Sequence, residues 1–487
     1  MKEKFWQITT LLILIIILIT SFFLQLTSFP ICIWDESRLA NNAQYMYLHG
    51  NWLITFYKEQ PDMLNTKPPL MIWLQVAGMY FFGMNELAVR LPSAIAATCT
   101  GLLLWFFSKK YFNNSRIGFL AGCVFASTYA FIYIHAGRTG DYDALMILFM
   151  TAYCFSFFKY LNSADKKYFW WFWICLTLAA MTKGVAGLLL IPALFFYSLS
   201  ERKVFSILKK GSFYTGLVFF LIIIGGYYFL REKYNPGYLN VVYNGELGGR
   251  YFSTIDAHSH PFGHYFNNMR SWRNSYWFYF ILPAFVAGFV YRDRRIKKVS
   301  LFNLLIVLSY WLIISLAKTK LEWYDLPLYP FLSLQTGILI YMILQALNNY
   351  LSTQTGKAIM AVLLFSLVFF IPFRQTEKYI HHFREKPWDI EPHKQGYLLH
   401  EYIKKKKNLD NYIFCYEGYD GQIDFYIKKL QAEGTLVQLQ NTVENISGRK
   451  MVVVSQEKLN NELVAKYAVE KIDARFGCII YQLIGNE

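Results

Sequence analysis

The sequence predicts an all-α polytopic membrane protein with about 11–13 transmembrane helices and additional interfacial helices, followed by a small soluble α/β domain at the C-terminus. Three observations support this fold class. Of the 487 residues, 55% are hydrophobic and 19% are aromatic, which is typical of integral membrane proteins. Apolar runs of roughly 20 residues, the length that crosses a bilayer, recur along most of the chain. After residue 373 the composition becomes polar.

About eleven apolar runs have the length of a membrane span. The first run is too long for a signal peptide and no small-residue cleavage site follows it, so we interpret it as a retained anchor. The run "PPLMIWLQVAGMYFFG" is better interpreted as an interfacial helix, because counting it as a span would place a basic connector outside. The eleven runs are centred near Ile16, Leu103, Cys123, Phe149, Trp173, Leu190, Phe220, Leu282, Val307, Ile338 and Leu364.

The formal net charge of +16 is concentrated in short connectors between apolar runs, among them "SKKYFNNSR", "NSADKK", "ERKVFSILKK" and "YRDRRIKK". Such a distribution is expected of loops that face the cytoplasm and the anionic lipid there. It makes membrane lipids the expected partners and argues against nucleic acid. With these connectors inside, the chain is a multi-pass protein of the cell (inner) membrane, and the odd number of spans places the C-terminus on the periplasmic or exterior side.

The change in composition predicts two domains, a transmembrane domain over residues 1–373 and an extracytoplasmic soluble domain over residues 374–487. We refer to the second as the tail. Its short β-like runs "YIFCY", "KMVVVS" and "CIIYQLI", with the amphipathic stretch "SQEKLNNELVAKYAVEK", predict a small α/β fold. Cys415 and Cys478 lie in this part and could form a disulfide if the tail is exported.

Unusual polar residues gather in the connections predicted to face outward. The first contains Asp35, Glu36 and Lys67, and the second contains His135, Arg138, Asp141 and Asp143. The third and fourth contain Arg250, His258, His260, Arg270 and Tyr324. Carboxylates and cations are therefore expected to converge on one membrane face, which suits a reaction that needs a base and several phosphate-binding groups.

Each of these residues also has a structural interpretation. Asp35 could cap the helix that follows it, and Asp143 could begin the next one. Lys67, before two prolines, could extend its ammonium to the interface. The histidines in "HSHPFGH" do not fit a metal-ligand spacing, so we expect His258 and His260 to contact substrate or to form loop hydrogen bonds.

The ordered set of motifs resembles a known family. "WDESRLANNAQYMYLHGNWLITFY" with "NTKPPLMIWLQVAGMYFFGMNELAVRLPSAIAA" is similar to the amino-terminal signature of GT-C membrane glycosyltransferases that use polyprenyl-phosphate sugars. These are the protein O-mannosyltransferase-like enzymes and the lipid A aminoarabinose transferases. "GRTGDYDALMILF", "MTKGVAGLLLIP" and "AKTKLEWYDLPLYPFLSLQTG" continue the pattern, so that the resemblance extends to about Leu347.

The resemblance implies roles for particular residues. Asp35, in the Asp35–Glu36 pair, matches the catalytic carboxylate, and Lys67 matches the lysine that contacts the lipid-linked phosphate. Asp143 matches a second acidic position, with Asp141 as its alternative. Aminoarabinose transferases often have an acidic residue just before the lysine, where it can take part in a zinc site. This chain has Thr66 there, so no metal site of that kind is expected.

The predicted activity is that of an inverting glycosyltransferase moving a sugar from a polyprenyl (undecaprenyl) phosphate to lipid A, another glycan or a protein. Asp35, Asp143 and Glu36 are the catalytic candidates. Asp35 would take the proton of the acceptor hydroxyl, and Asp143 would orient the acceptor or bind an amino or hydroxyl group of the sugar. Lys67, Arg250, Arg270 and Arg138 would bind the donor phosphate, so that no cofactor is required. Asp141, His258, His260 and Tyr324 are further substrate-binding candidates. The alternative is a transporter or flippase of lipid-linked sugars, which normally places charges near the middle of the membrane.

Overall fold

The structure, a computed structural model, describes residues 2–163, 165–249, 251, 254, 258–382 and 393–484. Within these residues, eight helices are long and apolar enough to cross a membrane. The chain is accordingly a multi-pass membrane protein. The long helices are Lys2–Phe23, Glu86–Phe112, Asp143–Ser163, Lys166–Lys183, Gly211–Tyr234, Arg294–Leu316, Tyr329–Asn348 and Gln354–His382.

Shorter elements connect the long helices. The short α-helices are Asp35–His49, Leu70–Phe82, Ser115–Ala126, Tyr129–Ile132, Ile191–Ser200, Val204–Leu208, Tyr238–Val242, His264–Asn268 and Ser275–Val290. Gly184–Leu188 and Glu322–Leu328 are 3-10 helices, and Tyr243–Gly249 and Met269–Arg273 are π-helices. Two strands of two residues each, β1 (Phe56–Tyr57) and β2 (Gln60–Pro61), lie in the first connection.

Three of the eleven predicted spans are shorter than the sequence indicated. The helices at Cys123, Leu190 and Leu282 have 12, 10 and 16 residues. At 1.5 Å per residue, the first two extend only about 15–18 Å, roughly half the hydrocarbon thickness. Hydropathy could not reveal the lengths of these two helices, because apolar residues continue after Ala126 in "TYAFIYI" and precede Ile191 in "GVAGLLL". Leu70–Phe82, predicted as an interfacial helix, has 13 residues and is likewise too short to cross.

The short helix Ser115–Ala126 is packed closely against three longer helices through glycines. A Cβ added at Gly118 would lie 2.5 Å from Trp105 Cα, and one added at Gly122 would lie 2.6 Å from a methyl group of Leu14. A Cβ added at Gly337 would lie 2.6 Å from the Ala121 nitrogen. Small residues at this spacing let helix backbones approach each other, as in helix pairs within membranes.

The chain folds into two compact units. Unit 1 comprises Met1–Leu24, Pro61–Met71 and Pro92–Ile380, and unit 2 comprises Gln25–Gln60, Ile72–Leu91 and His381–Glu487. Unit 2 therefore contains most of the first connection, between the helices Lys2–Phe23 and Glu86–Phe112, as well as nearly all of the tail. The division at residue 373 was drawn from composition and stays a prediction.

The tail has the small α/β fold that its sequence predicts. Its five-stranded sheet has the order β4-β3-β5-β7-β6, and β3 is parallel to β4 and β5 while β7 is antiparallel to β5 and β6. The strands are β3 (Tyr412–Cys415), β4 (Gln438–Gln440), β5 (Met451–Val454), β6 (Val469–Arg475) and β7 (Cys478–Leu483). The helices of the tail are Lys394–Lys404, Gly421–Ala432 and Glu457–Lys466.

Alternate residues of the central strands serve two different cores. Phe414 and Val453 pack in the same apolar cluster as the helices Lys394–Lys404 and Gly421–Ala432, whereas Val452 packs with Leu459 of the third helix. This is the period of two expected of a sheet covered on both faces. Cys415 and Cys478 are both free, and their strands are separated by β5, so the suggested disulfide is not formed.

Within unit 2, the helix Asp35–His49 packs against the helix Gly421–Ala432 of the tail through buried polar side chains. The Asn41 amide donates to the Gly421 carbonyl (2.7 Å), and the Gln44 amide donates to the Phe425 carbonyl (3.0 Å). Ser37, one turn before Asn41, contacts the Tyr419 hydroxyl (3.0 Å). Positions i, i+4 and i+7 lie on one helix face, so the tail holds the helix that begins with Asp35.

Candidate active site

Lys67, the predicted phosphate-binding lysine, forms an ion pair in unit 1. Its ammonium lies 2.7 Å from Glu246 Oε1, and the Thr66 hydroxyl donates to the same oxygen at 2.5 Å. Both charged side chains are only 15% exposed. The contact therefore favours an organised polar site over a lysine that merely extends to the interface.

Asn65, two residues before Lys67, is held by tyrosine hydroxyls from two other connections. Tyr142 donates to Asn65 Oδ1 (2.8 Å), and Tyr238 donates to the Asn65 carbonyl (3.0 Å). Tyr142 directly precedes Asp143. The hydrogen bond therefore places the lysine segment beside the second predicted acidic position.

Asp143 begins a long helix and forms a buried ion pair with Lys183, at the end of the next helix. The Lys183 ammonium lies 2.7 Å from each carboxylate oxygen of Asp143. Gly184 follows with φ +58°, and a Cβ there would lie 3.0 Å from the Tyr228 hydroxyl and 3.9 Å from Pro68 Cδ. The pair is therefore close to the Lys-Pro-Pro segment, and a side chain at this glycine would be both strained and crowded.

Asp141 lies beside His135, and the ring of His135 joins the second connection to the fourth. Asp141 Oδ2 accepts a hydrogen bond from the Thr139 hydroxyl (2.5 Å), and Asp141 Oδ1 lies 3.5 Å from His135 Nδ1. The His135 ring stacks on Trp323 with the ring centroids 3.6 Å apart. Asp141 is buried, so its contacts give it a part in fixing the fold of this connection.

The third and fourth connections pair through backbone hydrogen bonds. The Lys318 amide donates to the Tyr251 carbonyl (3.1 Å), and the Lys320 amide donates to the His258 carbonyl (3.0 Å). The Lys320 side chain is buried, and this burial lowers its pKa from the ordinary value. Together with the preceding contacts, this pairing shows that all four connections contribute to one region of unit 1.

The predicted substrate-binding histidines lie at the surface. His258 and His260 are exposed, and the His260 ring stacks on His264 at 4.1 Å. Burial, with a contribution from His260, lowers the pKa of His264 to about 4. Tyr324 is half-buried, and its carbonyl accepts a hydrogen bond from Tyr310 (2.9 Å). The substrate contacts of His258, His260 and Tyr324 stay predictions.

The predicted phosphate-binding arginines differ in their surroundings. Arg138 is buried and donates to the carbonyls of Ser21 (2.9 Å) and Leu24 (2.7 Å), contacts that hold the end of the first helix. Arg270 is exposed. Arg250 lies outside the described residues. Of the two arginines that the structure describes, Arg138 is buried and Arg270 faces solvent.

In unit 2, Glu36 is engaged by a buried arginine. Arg90 Nε lies 2.7 Å from Glu36 Oε1, and Arg90 Nη2 lies 3.0 Å from Oε2. The Cys32 amide also donates to Oε2 (2.7 Å). Arg90 further donates to the carbonyls of Leu26, Phe29 and Pro30. These contacts give Glu36 a structural task, which is to fix the chain just before Asp35.

Asp35 differs from Glu36 because its side chain is exposed. It is the first residue of the helix Asp35–His49, and Trp34 occupies the N-cap position without a side-chain cap. Asp35 is therefore not the N-cap residue, and the capping interpretation is wrong. The positive end of the helix still favours a carboxylate in the first turn. Asp35 and Glu36 are adjacent in the sequence but have different surroundings, the first exposed and the second buried.

The structure thus brings Lys67, Asp141 and Asp143 into one region of unit 1, and it places Asp35 and Glu36 in unit 2. Two residues of this region carry no role in the sequence interpretation, namely Lys183 and Glu246. Lys183 could have been recognised as a lysine within the apolar run "AAMTKGVAG", where a charge is costly without a partner. Glu246 has no comparable signal.

Comparisons with known proteins support the resemblance. A family model described as dolichyl-phosphate-mannose-protein mannosyltransferase matches residues 66–228. An uncharacterised protein of Aquifex aeolicus is 26% identical over 339 residues, which are 69% of this chain and 64% of that protein. Undecaprenyl phosphate-alpha-4-amino-4-deoxy-L-arabinose arabinosyl transferase 1 of Proteus mirabilis is 27% identical over 315 residues, 62% of this chain and 54% of the relative. The chain therefore spans between about half and two thirds of these relatives.

Among solved structures, the crystal structure of ArnT from Cupriavidus metallidurans bound to undecaprenyl phosphate matches with a TM-score of 0.72. The match covers 98% of both chains at 16% sequence identity. At this identity the likeness shows the fold. The resemblance drawn from the sequence motifs is thereby confirmed: the chain has the fold of ArnT, and over part of its length its sequence is similar to mannosyltransferases and aminoarabinose transferases.

Proposed function

We propose that the chain is an inverting glycosyltransferase that moves a sugar from a polyprenyl phosphate to an acceptor of the cell envelope. The observation that carries this proposal is the convergence of Lys67–Glu246 and Asp143–Lys183 beside one another in unit 1. The two pairs contain two carboxylates and two lysines, and Asp143 and Lys183 lie at the ends of spans. Such a set suits the chemistry of a phosphate leaving group at the edge of a bilayer. The relatives of known activity use undecaprenyl phosphate-linked sugars, which supports the same donor class here.

The donor phosphate would bind at Lys67. As the bond from the sugar to the phosphate breaks, negative charge accumulates on the phosphate, and a fixed ammonium stabilises this charge. Because the cation is part of the protein, the scheme requires neither a nucleotide nor a metal ion. Arg270 is the second candidate cation, while the contacts of Arg138 with backbone carbonyls favour a structural role.

Asp35 would act as the base. The acceptor hydroxyl forms a bond to the anomeric carbon, its proton passes to the Asp35 carboxylate, and the lipid phosphate leaves with the electrons of the broken bond. Asp143 is less suited to this task, because both its oxygens accept hydrogen bonds from Lys183. We assign Asp143 to positioning Lys183, and Glu36 to positioning the turn that carries Asp35. A single displacement of this kind inverts the anomeric centre.

We further propose that the site and the tail face the periplasm or exterior. The basic connectors support this orientation, because short loops rich in Lys and Arg stay in the cytoplasm. The donor lipid would remain in the bilayer while its sugar reaches an aqueous acceptor. This arrangement also explains why the polar residues lie near the ends of the spans and not at their centres, where a transporter of lipid-linked sugars would need them.

The test is a transfer assay with purified protein in detergent. Undecaprenyl phosphate 4-amino-4-deoxy-L-arabinose and dolichyl phosphate mannose would be supplied as donors, with lipid A, glycan and peptide acceptors in separate reactions. We expect sugar transfer and release of the lipid phosphate with one donor. Transfer in detergent requires no membrane barrier, so a transporter gives no product.

The matched variant in this assay is Asp35→Asn, which keeps the side-chain shape but removes the base. We expect a loss of transfer of at least about a hundredfold, the range typical of a general base, with binding of undecaprenyl phosphate retained. Wild-type turnover by this variant would exclude Asp35 as the base. A folded wild-type protein that transfers neither sugar would contradict the proposed function itself.

A further inference from the structure

The backbone just before Asp35 has an unusual conformation. Trp34 has φ +65° and ψ −116°, a region that residues with a side chain rarely adopt. Trp34 is also 60% exposed, so burial of this residue does not offset the strain. Strained residues persist where their surroundings hold them, and they are often found at functional sites.

Tyr419 of the tail holds this turn in two ways. Its ring stacks on the Trp34 indole, with the ring centroids 4.5 Å apart and the planes 19° from parallel. Its hydroxyl lies 3.0 Å from the Trp34 carbonyl and 3.0 Å from Ser37 Oγ. The same carbonyl accepts the first hydrogen bond of the helix, from the Arg38 amide (2.9 Å). Tyr419 therefore acts on the turn that sets the direction of the helix start.

The position of Tyr419 is itself fixed by its neighbours. A Cβ added at Gly421 would lie 2.7 Å from the Tyr419 hydroxyl and 3.0 Å from Ser37 Oγ, so the tail approaches the helix as closely as a glycine allows. The Asp420 carboxylate forms an ion pair with Lys58 at 2.8 Å. Burial raises the pKa of Tyr419 to about 12, so its hydroxyl keeps its proton at neutral pH and can donate.

We propose that Tyr419 is a positioning residue for the catalytic carboxylate, and that the tail contributes to catalysis through it. The inference rests on the proposed function, in which Asp35 is the base. Tyr419 fixes the Trp34 turn, and the turn fixes the direction in which the Asp35 side chain leaves the helix. Catalysis is sensitive to this direction, because proton transfer requires the base within hydrogen-bonding distance of the acceptor hydroxyl.

The test is Tyr419→Phe, which removes the hydroxyl and keeps the ring that stacks on Trp34. The matched control is Tyr481→Phe, which removes a tail hydroxyl that donates to Asn460 Oδ1 at 2.9 Å, in the other core of the tail. We expect kcat to fall about five- to tenfold in Tyr419→Phe, the effect of one hydrogen bond, with an unchanged KM for the lipid-linked donor. The control should keep the wild-type kcat and KM.

A second measurement separates positioning from general stability. Amide hydrogen exchange should accelerate at the start of the helix, at the Arg38 amide in particular, in Tyr419→Phe and not in Tyr481→Phe. Wild-type kcat in Tyr419→Phe, or an equal loss of kcat in both variants, would overturn the inference. If the wild type transfers sugar and Asp35→Asn does not, either result rejects the role of Tyr419 alone and leaves the proposed function standing.

Discussion

The Lys67 ammonium and the Glu246 carboxylate, 2.7 Å apart, neutralise each other at the position where a donor phosphate is proposed to bind. A phosphate that approaches Lys67 therefore meets a negative charge as well as a positive one. Like charges at such a distance repel each other, and the repulsion is stronger in a part-buried site than in water. If the donor phosphate binds at Lys67 as proposed, Glu246 lowers the affinity of the site for it.

We predict that Glu246→Gln strengthens the binding of undecaprenyl phosphate. The substitution keeps the shape of the side chain and removes its charge, so that Lys67 keeps a hydrogen-bond partner but loses its counter-ion. An increase in affinity of about fivefold, equivalent to about 1 kcal/mol, is expected for a pair of this exposure. Isothermal titration with the lipid phosphate in detergent measures the change.

Lys67→Ala is the comparison for this measurement, and it should weaken binding of the same lipid phosphate. Weaker binding in Glu246→Gln as well would show that the carboxylate holds Lys67 in place and does not oppose the phosphate. The two variants therefore distinguish whether the Glu246 carboxylate competes with the phosphate for Lys67 or holds Lys67 in place for it.

Residue by residue, the sequence indicated one half of each ion pair in this region. Lys67 and Asp143 lie in motifs with recognisable neighbours, whereas Glu246 is 179 residues from Lys67 and Lys183 is 40 residues from Asp143. A pairing across such distances depends on how helices pack, which no local pattern encodes. Glu36 was predicted to share in the chemistry because it adjoins Asp35, yet a helix turns by about 100° per residue and directs neighbouring side chains differently.

At the scale of elements, the helix Asp35–His49 is anchored at its start by the Glu36–Arg90 pair. Both side chains are almost fully buried, at 1% and 0% exposure. Removing one charge from such a pair leaves the other without compensation in a medium of low polarity. The pair therefore stabilises the turn chiefly because any conformation that separates the two buried charges has a higher free energy.

We predict that Glu36→Gln destabilises the protein by about 3 kcal/mol, because it leaves the Arg90 charge buried without a counter-charge. Chemical unfolding in detergent, followed by the fluorescence of the tryptophans, measures this loss. Glu417→Gln is the matched control, since Glu417 pairs with Lys458 at 2.8 Å but is 52% exposed. The control should change stability by less than about 0.5 kcal/mol. An equal effect of both substitutions would contradict the assigned role of Glu36.

The elements of the tail could be predicted from the sequence more fully than those of the membrane part. Strands such as "YIFCY" and "KMVVVS" are short apolar runs bounded by polar residues, and each became a strand of the sheet. In the membrane part, "SRIGFLAGCVFA" is apolar enough to suggest a span, but its helix ends at Ala126 after 12 residues. The glycines that bring this helix close to its neighbours were visible in the sequence, whereas the partners they would meet were not.

At the scale of the whole molecule, the proposal requires that both the first connection and the tail face the exterior. The connectors that contain Arg202 and Arg294 should face the cytoplasm. This arrangement can be tested without knowledge of the substrate, because it concerns only the side of the membrane on which each residue lies.

We predict that single cysteines at Glu59, Arg270 and Glu417, in a background without the native cysteines, react with a membrane-impermeant maleimide added to intact cells. These three residues are exposed in the structure. Cysteines at Arg202 and Arg294, which are also exposed, should react only after the membrane is permeabilised. Labelling of Glu59→Cys and Glu417→Cys from opposite sides would exclude the proposed topology.

The contact between Asn41 and Gly421 joins residues that lie 380 positions apart. A ribosome that adds 5–20 residues per second needs roughly 20 to 80 s to cover that distance. During this interval the helix that begins with Asp35 lacks the surface on which its polar side chains rest. The helix that begins with Asp35 therefore acquires these contacts only after the tail has been made and has folded, so the proposed base is set in place late in the maturation of the chain.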